Sequence, residues 1–253
     1  MRSSAVWLLC LLFWAVSEGE AKPACNYSPA QWCSSYKIAA ACQVLGQCPG
    51  LERDSAPPVE ISLYYESLCP ACRSFLVLQL YPTWLMLHSI MNVTLVPYGN
   101  AQEKLQSGKW AFECQHGEQE CLGNMIEACL MHTLKNPENY FPIINCMESA
   151  PYVIKAAELC VRIYEPAQTW STVESCVQGD LGNQLMHRNA VQTEALNPPH
   201  QYVPWILVNG NHTDVLESHA VGSLFNLVCN LYTGTKPEAC AKAERKELSV
   251  CLA

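Results

Sequence analysis

Cys69-Pro70-Ala71-Cys72 sets two thiols three positions apart, the spacing used for dithiol-disulfide exchange. A small ring can close between such sulfurs without moving the backbone. With Cys69 at a helix N-cap, Pro70 falls at the first helical position, where its missing N–H costs nothing and its φ is already helical. The helix end places unpaired N–H groups and positive partial charge beside the first sulfur and favours its thiolate. Cys69 is then the nucleophile. Cys72, a turn deeper, stays a thiol until it attacks the mixed disulfide and releases the reduced substrate. Two other readings remain, a static local disulfide and half of a zinc site. Zinc calls for a second pair at similar spacing, and Cys114-Gln115-His116 has atypical ligand spacing.

The elements that would position these thiols are legible around them. Val59, Ile61, Leu63 and Tyr65 alternate with Glu60, Ser62 and Tyr64, a strand pattern that runs directly into the cysteines. An apolar helical run from Phe75 to Leu87 follows, with a kink expected at Pro82. A second strand is expected over Asn92 to Tyr98. Residues 110 to 190 look helical and hold Cys114, Cys121, Cys129, Cys146, Cys160 and Cys176. The chain returns to strand at Tyr202 to Val208, closed by the hairpin signal Asn209-Gly210, and a last helix is expected over His219 to Tyr232. The order βαβ, helical insertion, ββα is that of an α/β, thioredoxin-like fold with a helical, disulfide-rich insertion at about 105–190. In such a fold Pro204 would be a cis-proline facing the cysteines, so that Val203 and Pro204 offer backbone groups to an extended substrate. An ordinary trans edge-strand proline is the alternative.

Composition bounds the rest. Half of the 253 residues are apolar and the net charge is -8, with 15 Lys+Arg against 23 Asp+Glu. A folded chain follows, and nucleic acid and acidic lipid are poor partners for its field. Sixteen cysteines imply an oxidising compartment. Arg2 before the apolar run Ala5 to Val16 reads as a cleaved signal peptide over residues 1–20, too short for a membrane span. Cys25, Cys33, Cys42 and Cys48 crowd into a small disulfide-stapled helical module at 21–55, ahead of the stiff Pro57-Pro58. The main domain is expected over 56–234, and residues 235–253 read as a mobile tail or propeptide. The C-terminal residues Val250-Cys251-Leu252-Ala253 carry no ER-retrieval signal.

The stretch Cys114-Gln115-His116-Gly117-Glu118-Gln119-Glu120-Cys121-Leu122-Gly123-Asn124-Met125-Ile126-Glu127-Ala128-Cys129 resembles the signature of the gamma-interferon-inducible lysosomal thiol reductases at every fixed position. The similarity runs over about residues 59 to 251 and includes Leu63 to Glu66, Asn92 to Gln102 and Tyr202 to Trp205. Pro70 departs from the small residue expected there, which bears on redox potential and not on the class of reaction. Ser28-Pro29-Ala30-Gln31-Trp32-Cys33 resembles a saposin A-type segment, too short for a complete lipid-binding saposin and better suited to a propeptide or sorting role.

The resemblance implies a reductase of disulfides in endocytosed proteins, in lysosomes and late endosomes and also secreted, that aids antigen processing. It implies a small-molecule thiol donor, no metal or organic cofactor, glycans read by a mannose-6-phosphate receptor, and a disulfide-linked homodimer. Sequons stand at Asn26, Asn92 and Asn211, the first doubtful because Pro29 follows. With the N-terminal four and the active pair set aside, nine cysteines remain beyond Cys10, an odd number, and Cys251 is the candidate interchain link. An unperturbed thiol of pKa about 8.5 would be only about 0.03% ionised near pH 5, so Cys69 must be acidified to below about 6.5. Nothing in the sequence brings His116 to Cys69, and a hydrogen-bonded structural histidine is the expected reading. The rival function is a secreted disulfide-rich binding protein with a structural Cys-x-x-Cys.

Overall fold

The computed structural model describes residues 25, 27–34, 36–48, 56–167 and 170–241. The expected signal peptide, Asn26 and Cys251 lie outside them.

Alternation decides the first strand. In β1 (Val59–Tyr65) Val59, Ile61, Leu63 and Tyr65 are all buried, and the strand is central because both of its edges are taken. β2 (Met91–Pro97) runs parallel to it with Val59 opposite Met91, and β5 (Trp205–Val208) runs antiparallel with Tyr64 opposite Trp205. The sheet order is β2-β1-β5.

The crossover from β1 to β2 is one helical rod with a defect. α2 (Pro70–Phe75) widens to a turn of π winding at Leu76–Leu80 and then continues as α3 (Tyr81–Leu87). Pro82, expected to kink a helix, stands in the first turn of α3. It has no N–H to return to residue 78, and the wider turn, closed by the Tyr81 N–H on the Leu76 carbonyl, stands immediately before it.

The insertion begins with strands, which corrects the expectation of helix from about residue 105. β3 (Gln102–Gln106) and β4 (Lys109–Glu113) form an antiparallel hairpin, turned by Ser107 and Gly108 at φ 49 and 82. Helices α4 (Glu118–Leu134), α5 (Pro137–Ser149), α6 (Val153–Tyr164), α7 (Trp170–Gln178) and α8 (Asp180–Glu194) follow. Disulfides Cys129–Cys176 and Cys146–Cys160 tie α4 to α7 and α5 to α6. The hairpin is fastened to α8 by His187 Nδ1 against Glu103 Oε1 at 2.7 Å and by Asn183, whose Nδ2 donates to the Trp110 carbonyl at 2.7 Å.

At the C-terminal end, Asn209 and Gly210 make the anticipated turn, both with positive φ. The expected second strand is reduced to a single bridge, Val208 with Asn211, because Thr213 at once caps a helix, its side chain accepting from the Leu216 N–H at 3.1 Å. α9 therefore spans Asp214–Leu231, starting five residues earlier than the His219 expected. It breaks at Ser223, where Gln79 Oε1 of the π turn accepts from the Leu224 N–H at 3.3 Å. Residues 235–241 do not behave as a tail: Cys240 is 1% exposed and bonded to Cys229. The N-terminal module holds the short helix α1 (Tyr36–Ala41) and is stapled by Cys25–Cys42 and Cys33–Cys48 around Ala39, Val44 and Trp32. Topology, crossover and helical insertion together make a thioredoxin-like α/β fold.

Candidate functional site

The end of β1 delivers the chain through Glu66, Ser67 and Leu68 to Cys69 at the head of α2. Cys69 is the N-cap, with extended backbone at φ -67 and ψ 120, and Pro70 occupies the first helical turn. Its Sγ accepts from the Cys72 N–H at 3.5 Å. Among the described residues only Cys69 and Cys72 are unpaired; the other described cysteines form six disulfides. Cys69 is 8% exposed and stands beside exposed Pro70 and Ala71, whereas Cys72 is fully covered.

The two sulfurs are driven apart electrically. The Cys69 thiol is lowered from 9.0 to about 6, chiefly by the hydrogen bond from the Cys72 side chain. Burial opposes this, while the backbone N–H groups of Cys72 and Ala71 and the charge of His116 reinforce it. The sequence reading credits the helix end; the neighbouring sulfur outranks it. The same bond, with burial, pushes Cys72 far above the ordinary thiol range.

α4 lies against the 66–68 loop and explains the signature stretch position by position. Glu120, Asn124 and Glu127, at i, i+4 and i+7, share one helical face and are all buried. Asn124 Oδ1 accepts from the Ser67 N–H at 2.9 Å, and the Glu120 carbonyl accepts from Ser67 Oγ at 3.2 Å. Gly123 permits this approach, since a Cβ there would stand 2.4 Å from Ser67 Oγ. Gly117, at φ 84, opens α4, and the Cys114–Cys121 disulfide closes the loop that holds His116.

That loop brings His116 to Glu66, a neighbour the sequence does not name. Its Nδ1 lies 2.5 Å from Glu120 Oε2 and 3.3 Å from Glu66 Oε2, and its charge reaches Cys69. It is hydrogen-bonded, as expected, and it sits against the buried Glu66 carboxyl. Glu66 is fully buried: Oε1 accepts from the Asn100 N–H at 2.8 Å, Oε2 has no hydrogen-bond partner, and burial raises the carboxyl to about 7. The donor atoms of Glu66, His116 and Glu120 lie within 4.8 Å of one another, a grouping the His116–Glu120 contact accounts for.

A second buried cluster underlies α2. The Tyr65 hydroxyl donates to Glu127 Oε2. Arg73 donates through Nε and Nη2 to the Glu148 carbonyl at 3.0 and 2.8 Å, and through Nη2 to the Ala150 carbonyl at 2.6 Å, so one guanidinium closes the C-terminal end of α5. Burial raises Glu127 to about 7 and holds Glu148 well above the carboxylate range, where the nearby Glu127 charge adds to the effect. In sequence, the polar i, i+4, i+7 spacing of α4 could have flagged Glu127, and no such pattern marks Tyr65, Arg73 or Glu148.

The Val203–Pro204 bond is cis, as is Asn197–Pro198, which the sequence reading does not anticipate. Continuing the Tyr64–Trp205 register places Pro204 beside Tyr65, at the end of β1 from which the dithiol loop leaves. Asn211 is exposed, while Asn92 on β2 is half-buried and donates from Nδ2 to Glu60 Oε1 at 2.7 Å.

The sequence model of the family described as gamma interferon inducible lysosomal thiol reductase matches residues 60–164. A protein of Carassius auratus named gamma-interferon-inducible lysosomal thiol reductase is 57% identical over 229 residues, covering 90% of this chain and 89% of its own. One of the same name from Mus musculus is 49% identical over 197 residues, covering 78% and 77%. The gamma-interferon-responsive lysosomal thiol protein of Arabidopsis thaliana is 36% identical over 185 residues, covering 72% and 75%. Among solved structures, DsbA of Chlamydia trachomatis aligns at a TM-score of 0.46 and 15% identity, covering 68% of this chain and 88% of that one.

Proposed function

The chain belongs to the gamma interferon inducible lysosomal thiol reductase family, and we propose that it performs the reaction through Cys69 as nucleophile and Cys72 as resolving thiol. The protein is a thiol-disulfide oxidoreductase that reduces disulfide bonds in proteins. The observation that carries the assignment is the Cys69 sulfur at the head of α2, hydrogen-bonded by Cys72 and acidified to about 6.

The cycle follows from that asymmetry. At pH 5 a thiol of pKa about 6 is about 10% ionised, some hundreds of times more than an unperturbed one. The Cys69 thiolate attacks a substrate sulfur, the substrate bond breaks, and a mixed disulfide forms. Cys72 then loses its proton and attacks Cys69 Sγ, which releases the second substrate sulfur and leaves a Cys69–Cys72 disulfide. A small-molecule thiol returns the protein to the dithiol form. Val203 and Pro204 present backbone to the extended substrate, supported by the register that sets Pro204 at the dithiol end of β1.

Activity at acid pH suits lysosomes and late endosomes, with secretion as a second fate and antigen processing as the use. The signal peptide occupies residues 1–20, and residues 21–55 serve as a saposin A-type propeptide or sorting segment. Asn211 and Asn92 carry glycans read by a mannose-6-phosphate receptor, Asn211 being the better exposed. Four disulfides take up eight of the nine remaining cysteines and leave Cys251 for a homodimer link.

Separate substitution of the two cysteines tests the assignment. With a disulfide-bonded protein substrate at pH 5, Cys72→Ser accumulates mixed disulfide on Cys69, and Cys69→Ser forms none. A secreted binding protein with a structural Cys-x-x-Cys would form none in either variant.

A further inference from the structure

The cycle proposed above moves protons as well as electrons, and Cys72 and the leaving sulfurs are its demanding sites. Cys72 is fully covered and strongly disposed to keep its proton, so water cannot serve it directly. One buried carboxyl, Glu66, lies on the loop that leads from β1 into the dithiol, three residues before Cys69. The Cys69 N–H donates to the Glu66 carbonyl at 3.2 Å, and the Glu66 carboxyl is electrostatically coupled to both thiols. The side chain is pinned by Asn100 N–H at Oε1 and by close contact with Gly99, where a Cβ would stand 2.4 Å from Glu66 Cγ. Its Oε2 is buried and unpartnered, 3.3 Å from His116 Nδ1, whose hydrogen goes to Glu120. His116 is the exposed member, with 36% of its side chain accessible.

We propose that the Glu66 carboxyl is the proton-transfer group of the dithiol, protonating the leaving substrate sulfur in the first exchange and deprotonating Cys72 in the second, with His116 as its link to solvent. The inference rests on the assignment of Cys69 and Cys72.

The balance closes. The Cys69 thiolate attacks, the substrate S–S bond breaks, and the departing sulfur takes the electron pair and the Glu66 proton. Glu66, now a carboxylate, takes the proton of Cys72. The Cys72 thiolate attacks Cys69 Sγ, the protein disulfide forms, and the second substrate sulfur leaves with the electron pair and that proton. Glu66 is recharged from solvent past His116. The protein loses two electrons, the substrate gains two, and of the two protons delivered one comes from Cys72 and one from solvent.

The groups facing Glu66 set its pH behaviour. They are Cys69 and Cys72 from α2, His116 from the disulfide-closed loop, Glu120 from α4 and the Asn100 N–H from the turn after β2; Arg73, Glu127 and Glu148 lie beneath the dithiol. With Cys69 at about 6 and Glu66 at about 7, single-turnover reduction rises with pH through the first and falls through the second.

The experiment is single-turnover reduction of a disulfide-bonded peptide by the full reduced chain from pH 4.5 to 8.5, with quenched samples scored for mixed disulfide. Glu66→Gln keeps the shape and the Asn100 bond and cannot carry a proton. It is expected to slow resolution at pH 5 about 100-fold, at the low end for a positioned acid-base group, to accumulate mixed disulfide although Cys72 is present, and to lose the falling limb. His116→Gln, at the rim, removes a charge that lowers both groups and is expected to move both limbs to higher pH. Wild-type resolution with an intact falling limb in Glu66→Gln overturns the inference. If that variant does not fold, an unmoved falling limb in His116→Gln overturns it. The Cys72→Ser control separates the two assignments: trapping there with wild-type behaviour in Glu66→Gln sinks the inference alone, and no trapping there sinks the dithiol assignment.

Discussion

Two identical side chains three positions apart, Cys69 and Cys72, are driven in opposite directions by a single hydrogen bond between them. Ionising either stabilises the proton on the other, and the backbone N–H groups of Ala71 and Cys72 decide which sulfur takes the charge. Gly99 acts at the same scale on Glu66. Its φ of +63 and the 2.4 Å separation between a would-be Cβ and Glu66 Cγ leave no room for a side chain. Gly99→Ala is therefore expected to lower stability by about 1–3 kcal/mol through overpacking and backbone strain, read as a shift in urea midpoint at unchanged slope. An unshifted midpoint would show that Glu66 is not held as described.

At the scale of elements, β1, the Pro70 helix and β2 were legible because their signals are local. β1 alternates with period two, and Pro70 after Cys69 marks a helix start. The β3–β4 hairpin was not, since it packs on α8 through polar groups and most of its residues are exposed, so no apolar period marks it. Its one signal is Ser107-Gly108, whose positive φ values make the turn. The C-terminal hairpin was over-read: Asn209-Gly210 fixes the turn, but a turn does not guarantee a returning strand when Thr213 caps a helix two residues past the bridge. The dithiol was readable from spacing alone. Its buried partners were not, because Glu66 and His116 meet across 50 residues of sequence and a single chain does not state that contact. The face formed by Glu120, Asn124 and Glu127 was visible only as a motif, and packing on the 66–68 loop supplies its physical reason.

For the whole molecule, buried carboxyls set how stability follows pH. Glu66 and Glu127 are raised to about 7, and burial holds Glu148 well above the carboxylate range. The folded state therefore binds more protons than the unfolded state above the ordinary carboxyl value. Their contribution is fully present below about 4.5 and is lost as pH rises toward and through 7. Each unit of such a shift is worth about 1.4 kcal/mol. Cys69 has the opposite sign: lowered to about 6, it contributes stability above 9 that is lost as pH falls to 6. In the oxidised protein Cys69 does not titrate, which isolates the carboxyls. Its urea midpoint is expected to be higher at pH 5 than at pH 7.5, the reverse of ordinary acid denaturation. A midpoint that is flat or rises with pH would contradict this account.

The central claim is that one buried thiol of the reduced protein ionises well below the ordinary thiol value. The direct measurement is the rate of iodoacetamide alkylation of Cys69, located by peptide mass, as a function of pH. The rate is expected to follow a single titration with its midpoint near 6, to leave Cys72 unmodified, and to retain about a tenth of its plateau at pH 5. A midpoint at the ordinary thiol value near 9, or alkylation of Cys72 ahead of Cys69, would contradict it.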